Sequence, residues 1–114
     1  MYWADLSGPR AFTLAGPMSR WLIERRLSDV SDRLKRARAD LAVVEEQMAF
    51  LAGEADETRL RALVSETPLA DREHHEAQKH ADAMARHRAD VLASIQELER
   101  SQDELLDRLV AESR

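Results

Sequence analysis

Apolar residues recur at alternating spacings of three and four over a long early stretch of the chain, from Ile23 to Leu51. The positions are Ile23, Leu27, Val30, Leu34, Ala37, Leu41, Val44, Met48 and Leu51. This heptad spacing is typical of a helix that packs an apolar seam against a partner helix. We therefore predict a first helix over about residues 19–52, with Ser19 as the N-cap and Gly53 as the terminator.

A second seam with the same spacing begins at Ala77. Its positions are Ala77, Ala81, Met84, Arg88, Val91, Ile95, Leu98, Gln102, Leu105 and Leu109. Thr67 is a favoured N-cap residue, and Pro68 suits the first position of a helix. Because neither Gly nor Pro follows Pro68, this seam predicts a long helix over about residues 68–112.

Two further segments complete the predicted architecture. We predict a short helix over residues 56–66 that Asp56 caps and whose apolar face is formed by Leu60, Leu63 and Val64. The first part of the chain holds two of its three Pro and two of its three Gly and sustains no helical or strand period. We predict an irregular N-terminal tail there. Whether this tail is native or precedes the true start is left open.

The predicted fold class is all-α: a long antiparallel helical hairpin, in the form of a coiled coil, with a short third helix near the tip. Its domains are the tail, residues 1–17, and the hairpin domain, residues 18–114. Opposite charges favour this pairing, because residues 18–39 carry a net charge of +4 and residues 91–114 a net charge of −3. A register shifted by seven residues would also match the two seams.

Two polar residues occupy seam positions, Arg88 and Gln102. In the predicted register Arg88 lies beside Val44 and within reach of Glu45. Polar residues at such positions specify register and partner at a cost in stability. We interpret both residues in this way, with a binding role for Arg88 as the alternative.

Several apolar residues lie off the seams, and one partner helix cannot cover all of them: Trp21, Leu22, Val43, Phe50, Leu92, Leu106 and Val110. A second apolar stripe indicates a further layer of structure. We expect contacts with a partner at Trp21, Val43, Phe50, Leu92 and Leu106. The partner is either a second copy, giving a homodimer with a four-helix bundle, or a larger protein. Cover by the tail or the short helix is the third possibility.

Composition narrows the function further. The chain has no cysteine, a net charge of −5 and no apolar run of the length that spans a bilayer. We expect a cytoplasmic protein that does not enter membranes and does not bind nucleic acid, since acidic residues interrupt its basic stretch. Since a two-helix hairpin offers little concave surface, we expect a non-enzymatic coiled-coil interaction or adaptor protein without a cofactor.

All four histidines fall within a short stretch of the second long helix: His74, His75, His80 and His87. The zinc-protease motif requires two His four residues apart, whereas His75 and His80 are five apart. A di-iron site requires Glu-x-x-His units on facing helices, and the first helix has no His. We therefore expect surface histidines and no metal site, and leave open a contact that responds to pH.

Six acidic residues and no basic residue lie between Asp40 and Glu57. Three of these acidic residues, Glu54, Asp56 and Glu57, cluster beside the predicted break. We interpret them either as a solvated surface or as an acidic hairpin end that reaches into a partner's cavity.

One family has such a geometry. The segment LADREHHEAQKHADAMARHRADVLASIQELE, residues 69–99, resembles the start of the second helix of Gre-type transcript cleavage factors. The tip signature of that family, Gly-Asp-Leu-Ser-Glu-Asn-Ala-Glu-Tyr, is absent, and Asp71 and Glu73 are the nearest counterparts of its acidic pair. The resemblance implies an alternative function: a small regulator that inserts an acidic hairpin end into RNA polymerase or another large machine.

Overall fold

The computed structural model describes residues 16–113 and consists almost entirely of two long helices. Helix α1 spans Gly16–Ser65 and helix α2 spans Pro68–Glu112. The chain is therefore all-α and forms a helical hairpin, as predicted. The predicted irregular tail lies outside the described residues up to position 15, and its last two residues belong to α1.

The predicted break at Gly53 is wrong, because α1 passes through this position without interruption. A Cβ atom added to Gly53 would meet no atom within 4 Å, so this residue lies on an open side of the helix. Its helical penalty is about 1 kcal/mol. The seam spacing continues beyond Leu51 at Ala55, Thr58 and Ala62, and burial of these residues against α2 opposes that penalty.

The separate helix predicted over residues 56–66 is therefore absent from the described structure. Asp56 lies in the interior of α1 and does not cap a helix. The start of α1 also differs from the prediction, since the helix begins at Gly16, three residues before Ser19. Helix α2 has the predicted bounds.

The turn between the helices consists of Glu66 and Thr67. Glu66 has a φ angle of 51°, a left-handed conformation in which a helix commonly ends. Its amide still donates a hydrogen bond of 3.0 Å to the carbonyl of Ala62. The hydroxyl of Thr67 accepts a hydrogen bond of 3.1 Å from the amide of Ala70, so the predicted N-cap is confirmed.

The hairpin divides into two compact units. Unit 1 contains the described residues up to 35 and those from 96 onward. Large aliphatic side chains form its core, and Leu34 is only 1% exposed. Gln102 donates a hydrogen bond of 3.1 Å to the Ser31 hydroxyl, so α1 and α2 also meet through polar groups in this unit.

Unit 2 contains residues 36–95. Large aliphatic residues, Val44 and Ile95, are buried in one part of it, whereas the buried residues nearer the turn are small: Ala55, Thr58 and Ala70. The predicted contact of Arg88 with Glu45 is confirmed. Two guanidinium nitrogens donate to one carboxylate oxygen, at 2.9 and 3.2 Å.

Both predicted seams are confirmed in their burial, since every seam residue of the two helices is buried or half-buried. Hydrophobic burial at these positions removes apolar surface from water and is the main force that holds two such helices together. Within the described range, neither helix has a stretch that combines the length and the hydropathy needed to cross a bilayer.

Candidate interaction surfaces

Four large apolar side chains beside the turn are turned towards solvent. Leu60, Leu63 and Val64 lie in the last turns of α1, with exposed fractions of 57%, 64% and 85%. Leu69 lies in the first turn of α2 and is 61% exposed. We refer to these four residues as the turn-proximal cluster. Large contiguous apolar patches on a protein surface commonly mark a site of interaction.

The turn-proximal cluster was not predicted to be exposed. The sequence predicts that its α1 members form the apolar face of a short helix. The core at this end is instead made by smaller side chains, those of Ala55, Thr58 and Ala70. Extension of the heptad spacing past Gly53 would have identified this inner face from the sequence.

The predicted contact residues differ in their exposure. Phe50 is 67% exposed, and Val43 and Trp21 are each about half exposed. Leu106 is exposed to a smaller extent, whereas Leu92 is half-buried and has less surface to offer. The outward apolar residues Leu22 and Val110 are also about half exposed.

A groove in unit 2 runs beside Phe50. Its volume is about 540 Å³. Leu51 and Ala77 add apolar surface, and charged or polar side chains from both helices complete the wall: Glu54, Thr58, Arg61, Arg72, Glu73, Glu76 and His80. An aromatic side chain in the wall together with a charged rim suits a side chain that is largely apolar.

A second groove lies beside Trp21 in unit 1 and has a volume of about 710 Å³. Leu22 adds apolar surface to it, and both acidic and basic side chains of α1 surround it. The Arg25 guanidinium lies over the Trp21 ring at 5.6 Å from the ring centroid. This distance is within the range of a cation–π contact between successive turns of α1.

The predicted acidic end lies in a different place from the one expected. Glu54, Asp56 and Glu57 are exposed, and they lie on α1 about two to three helical turns before its last residue, away from the turn. Glu57 forms an ion pair of 3.2 Å with Arg61, which also pairs with Glu73 at 3.3 Å. Part of the negative charge at this position is therefore compensated within unit 2.

Three of the four histidines, His75, His80 and His87, are exposed, as predicted. His74 differs, because it is half-buried at a position three residues before Ala77, where the second seam begins. Its Nδ1 atom lies 3.5 Å from the hydroxyl of buried Thr58.

The Thr58 hydroxyl also has carbonyl acceptors in its own helix. They belong to Glu54 and Ala55, at 2.8 and 3.0 Å. Thr58 and His74 therefore form a polar contact inside the seam. Among the described residues, no group of three or more His, Asp and Glu side chains is arranged to hold a metal ion.

The chemistry of the described surface is thus that of exposed apolar side chains on charged helices. No protein-family model matches the chain, and no curated protein or solved structure shows significant similarity to it.

Proposed function

We propose that this chain is a non-enzymatic interaction module, an antiparallel coiled-coil hairpin whose turn-proximal cluster docks on a larger protein. One observation carries the proposal: four large apolar side chains beside the turn are each more than half exposed. Complete burial of a side chain of this size contributes about 1.5–3 kcal/mol. A protein that covers the cluster would therefore gain considerable binding energy.

The contacts within the units support the antiparallel arrangement. In unit 2, Arg61 near the end of α1 contacts Glu73 near the start of α2. Glu45, which comes earlier in α1, contacts Arg88, which comes later in α2. The short turn at Glu66 supports the same arrangement, because it is the type of connection that joins antiparallel helices.

The composition of the core supports a docking role for the cluster. Ala55, Thr58 and Ala70 fill the space between the helices near the turn, so the larger residues beside them are not needed for packing there. A leucine that stabilised the fold would be found in the interior. Leu60 and Leu63 point outward on an otherwise charged surface, which is the arrangement of an apolar anchor for a partner.

Replacement of Leu60 and Val64 together by Gln tests the proposal. We expect the free energy of unfolding to change by less than about 1 kcal/mol, because both side chains are exposed and Gln is a good helix former. Affinity capture from a native lysate is expected to lose the proteins that the wild-type chain retains.

The matched control is Val110→Gln, which changes an exposed apolar residue of α2 in unit 1. This variant is expected to capture the same proteins as the wild type. Equal capture by the wild type, the double variant and the Val110→Gln control would overturn the docking role of the cluster.

The alternative function, a polymerase regulator with an acidic end, remains a prediction. The same capture experiment tests it, because such a regulator would enrich polymerase subunits.

A further inference from the structure

The groove beside Phe50 lies entirely within unit 2, and both helices contribute residues to its wall. Its volume of about 540 Å³ is in the range of pockets that hold a small ligand or a long side chain. No residue of the turn-proximal cluster lines it. The groove is therefore a second surface, distinct from that cluster.

The inner part of the groove is mainly apolar. Leu51 and Ala77 are half-buried seam residues, and the Phe50 ring is 67% exposed beside them. Thr58 is buried, and its hydroxyl already contacts carbonyls of its own helix and His74. Hydrogen bonds to a ligand must therefore come from the charged residues of the wall.

Two carboxylates in the wall are available to a ligand, those of Glu54 on α1 and Glu76 on α2. Both are exposed, and neither forms an ion pair with another residue of the described chain. The third carboxylate, that of Glu73, pairs with Arg61, which also pairs with Glu57. The basic group of Arg61 is thus already surrounded by two acidic partners.

The charge balance of the groove is negative. Arg72 is the second basic residue of the wall, four residues before Glu76 on α2. The groove and the ion pairs of Arg61 together contain four carboxylates and two guanidinium groups, a net charge of −2. Unit 2 as a whole has twelve acidic and eight basic side chains, a net charge of −4. The groove and its surroundings therefore attract a cation.

The chemistry of the groove favours an organic cation. The described residues hold no group of three or more His, Asp and Glu arranged for a metal ion. A guanidinium group has five N–H donors, pairs with carboxylates and stacks on aromatic rings, whereas the ammonium group of Lys is compact and strongly hydrated. The exposed Phe50 ring beside Glu54 and Glu76 therefore suits Arg better than Lys.

We propose that the groove beside Phe50 binds an arginine side chain of a partner protein. The methylene groups of this side chain lie on Leu51 and Ala77. Its guanidinium group stacks on the Phe50 ring and donates hydrogen bonds to the carboxylates of Glu54 and Glu76. The groove thus adds a charged anchor to a chain whose turn-proximal cluster offers apolar contacts.

Titration of the full chain with a short peptide tests the proposal. The probe is a tripeptide with Arg between two Gly, blocked at both ends, and its control contains citrulline, the uncharged counterpart of Arg. We expect the Arg peptide to shift the methyl NMR signals of Leu51 and Ala77 and to saturate with a Kd of about 1 mM. The citrulline peptide is expected to cause no saturable shift. Equal binding of both peptides, or no saturable shift with the Arg peptide, would overturn the proposal.

Charge substitutions separate the groove from the general negative charge of unit 2. Glu54→Gln and Glu76→Gln are each expected to weaken binding of the Arg peptide about threefold, and the double variant about tenfold. Asp40→Asn removes an exposed carboxylate of unit 2 outside the groove and is the matched control, with an expected change below about twofold. Equal weakening by the control and by Glu54→Gln would contradict recognition in the groove.

Arg72→Gln gives a prediction of the opposite sign. Because it removes a positive charge from the wall, this variant is expected to bind the Arg peptide about twofold more tightly. Weaker binding would overturn the proposal, provided that circular dichroism shows the helical content of the wild type. The double variant with Leu60→Gln and Val64→Gln is expected to bind the peptide normally, so the groove and the turn-proximal cluster can each fail while the other stands.

Discussion

The core of unit 1 and the core of unit 2 beside the turn are built from side chains of different size. In unit 1, Ile23, Leu34 and Leu105 are buried, and they form the core between α1 and α2. In unit 2 beside the turn, Ala55 and Ala70 are buried, and the larger residues face solvent. Seams with the same heptad spacing therefore form a core of large aliphatic residues in unit 1 and a core of small residues in part of unit 2. The large residues near the turn are therefore not part of that core.

The first prediction compares two leucines. Leu34→Ala is expected to lower the free energy of unfolding by about 2–5 kcal/mol, because it removes a nearly completely buried side chain and leaves a cavity. Leu63→Ala is expected to change the free energy by less than about 0.5 kcal/mol, since its side chain is exposed. Urea unfolding followed by circular dichroism measures both. Comparable losses would contradict the proposed difference between the units.

The second prediction concerns the small core of unit 2. Ala55→Leu is expected to lower the free energy of unfolding by about 1–3 kcal/mol, because the enlarged side chain must enter a packed site. The heptad pattern alone predicts the opposite effect, since Leu is a favoured seam residue. Ala52→Leu on the exposed side is the matched control, with an expected change of less than about 0.5 kcal/mol. Thermal unfolding that shows stabilisation by Ala55→Leu would mean that this core has unfilled space.

The third and smallest prediction compares the polar contacts of the two units. A double-mutant cycle on Arg88 and Glu45 is expected to give a coupling energy of about 0.2–1 kcal/mol, because both side chains are partly exposed. Added salt should decrease it, since salt screens exposed charges. The same cycle on Gln102 and Ser31 measures a neutral hydrogen bond, so its coupling energy should not depend on salt. Equal salt dependence in both cycles would contradict this assignment.

Much of the fold was predictable from local patterns. The heptad spacing identified both seams, and the Thr67–Pro68 pair located the start of α2, because N-cap and first-turn preferences act over a few residues. The contact of Arg88 with Glu45 followed from the predicted register. Each of these features depends on spacing along one helix or on pairing between two seams.

The exposed surface near the turn was not predictable in the same way. Gly53 was interpreted as a helix terminator because Gly has a low helix propensity. Leu60, Leu63 and Val64 are predicted to form the apolar face of a short helix, and large apolar residues are usually buried. Both expectations consider one residue at a time. Helix continuation and burial depend instead on which residues of α2 pack against that position of α1. His74 becomes a partner for Thr58 only once the two helices are packed.

The sequence by itself determined that this chain forms two long helices with heptad seams, because periodic burial and capping are properties of a single helix. Tertiary structure decided that α1 continues through Gly53, and only in a continuous helix does the heptad spacing place the small residues in the core near the turn. The physical reason is that the penalty of a helical glycine is only about 1 kcal/mol, and packing against a second helix exceeds it. The same packing leaves the turn-proximal cluster exposed to solvent.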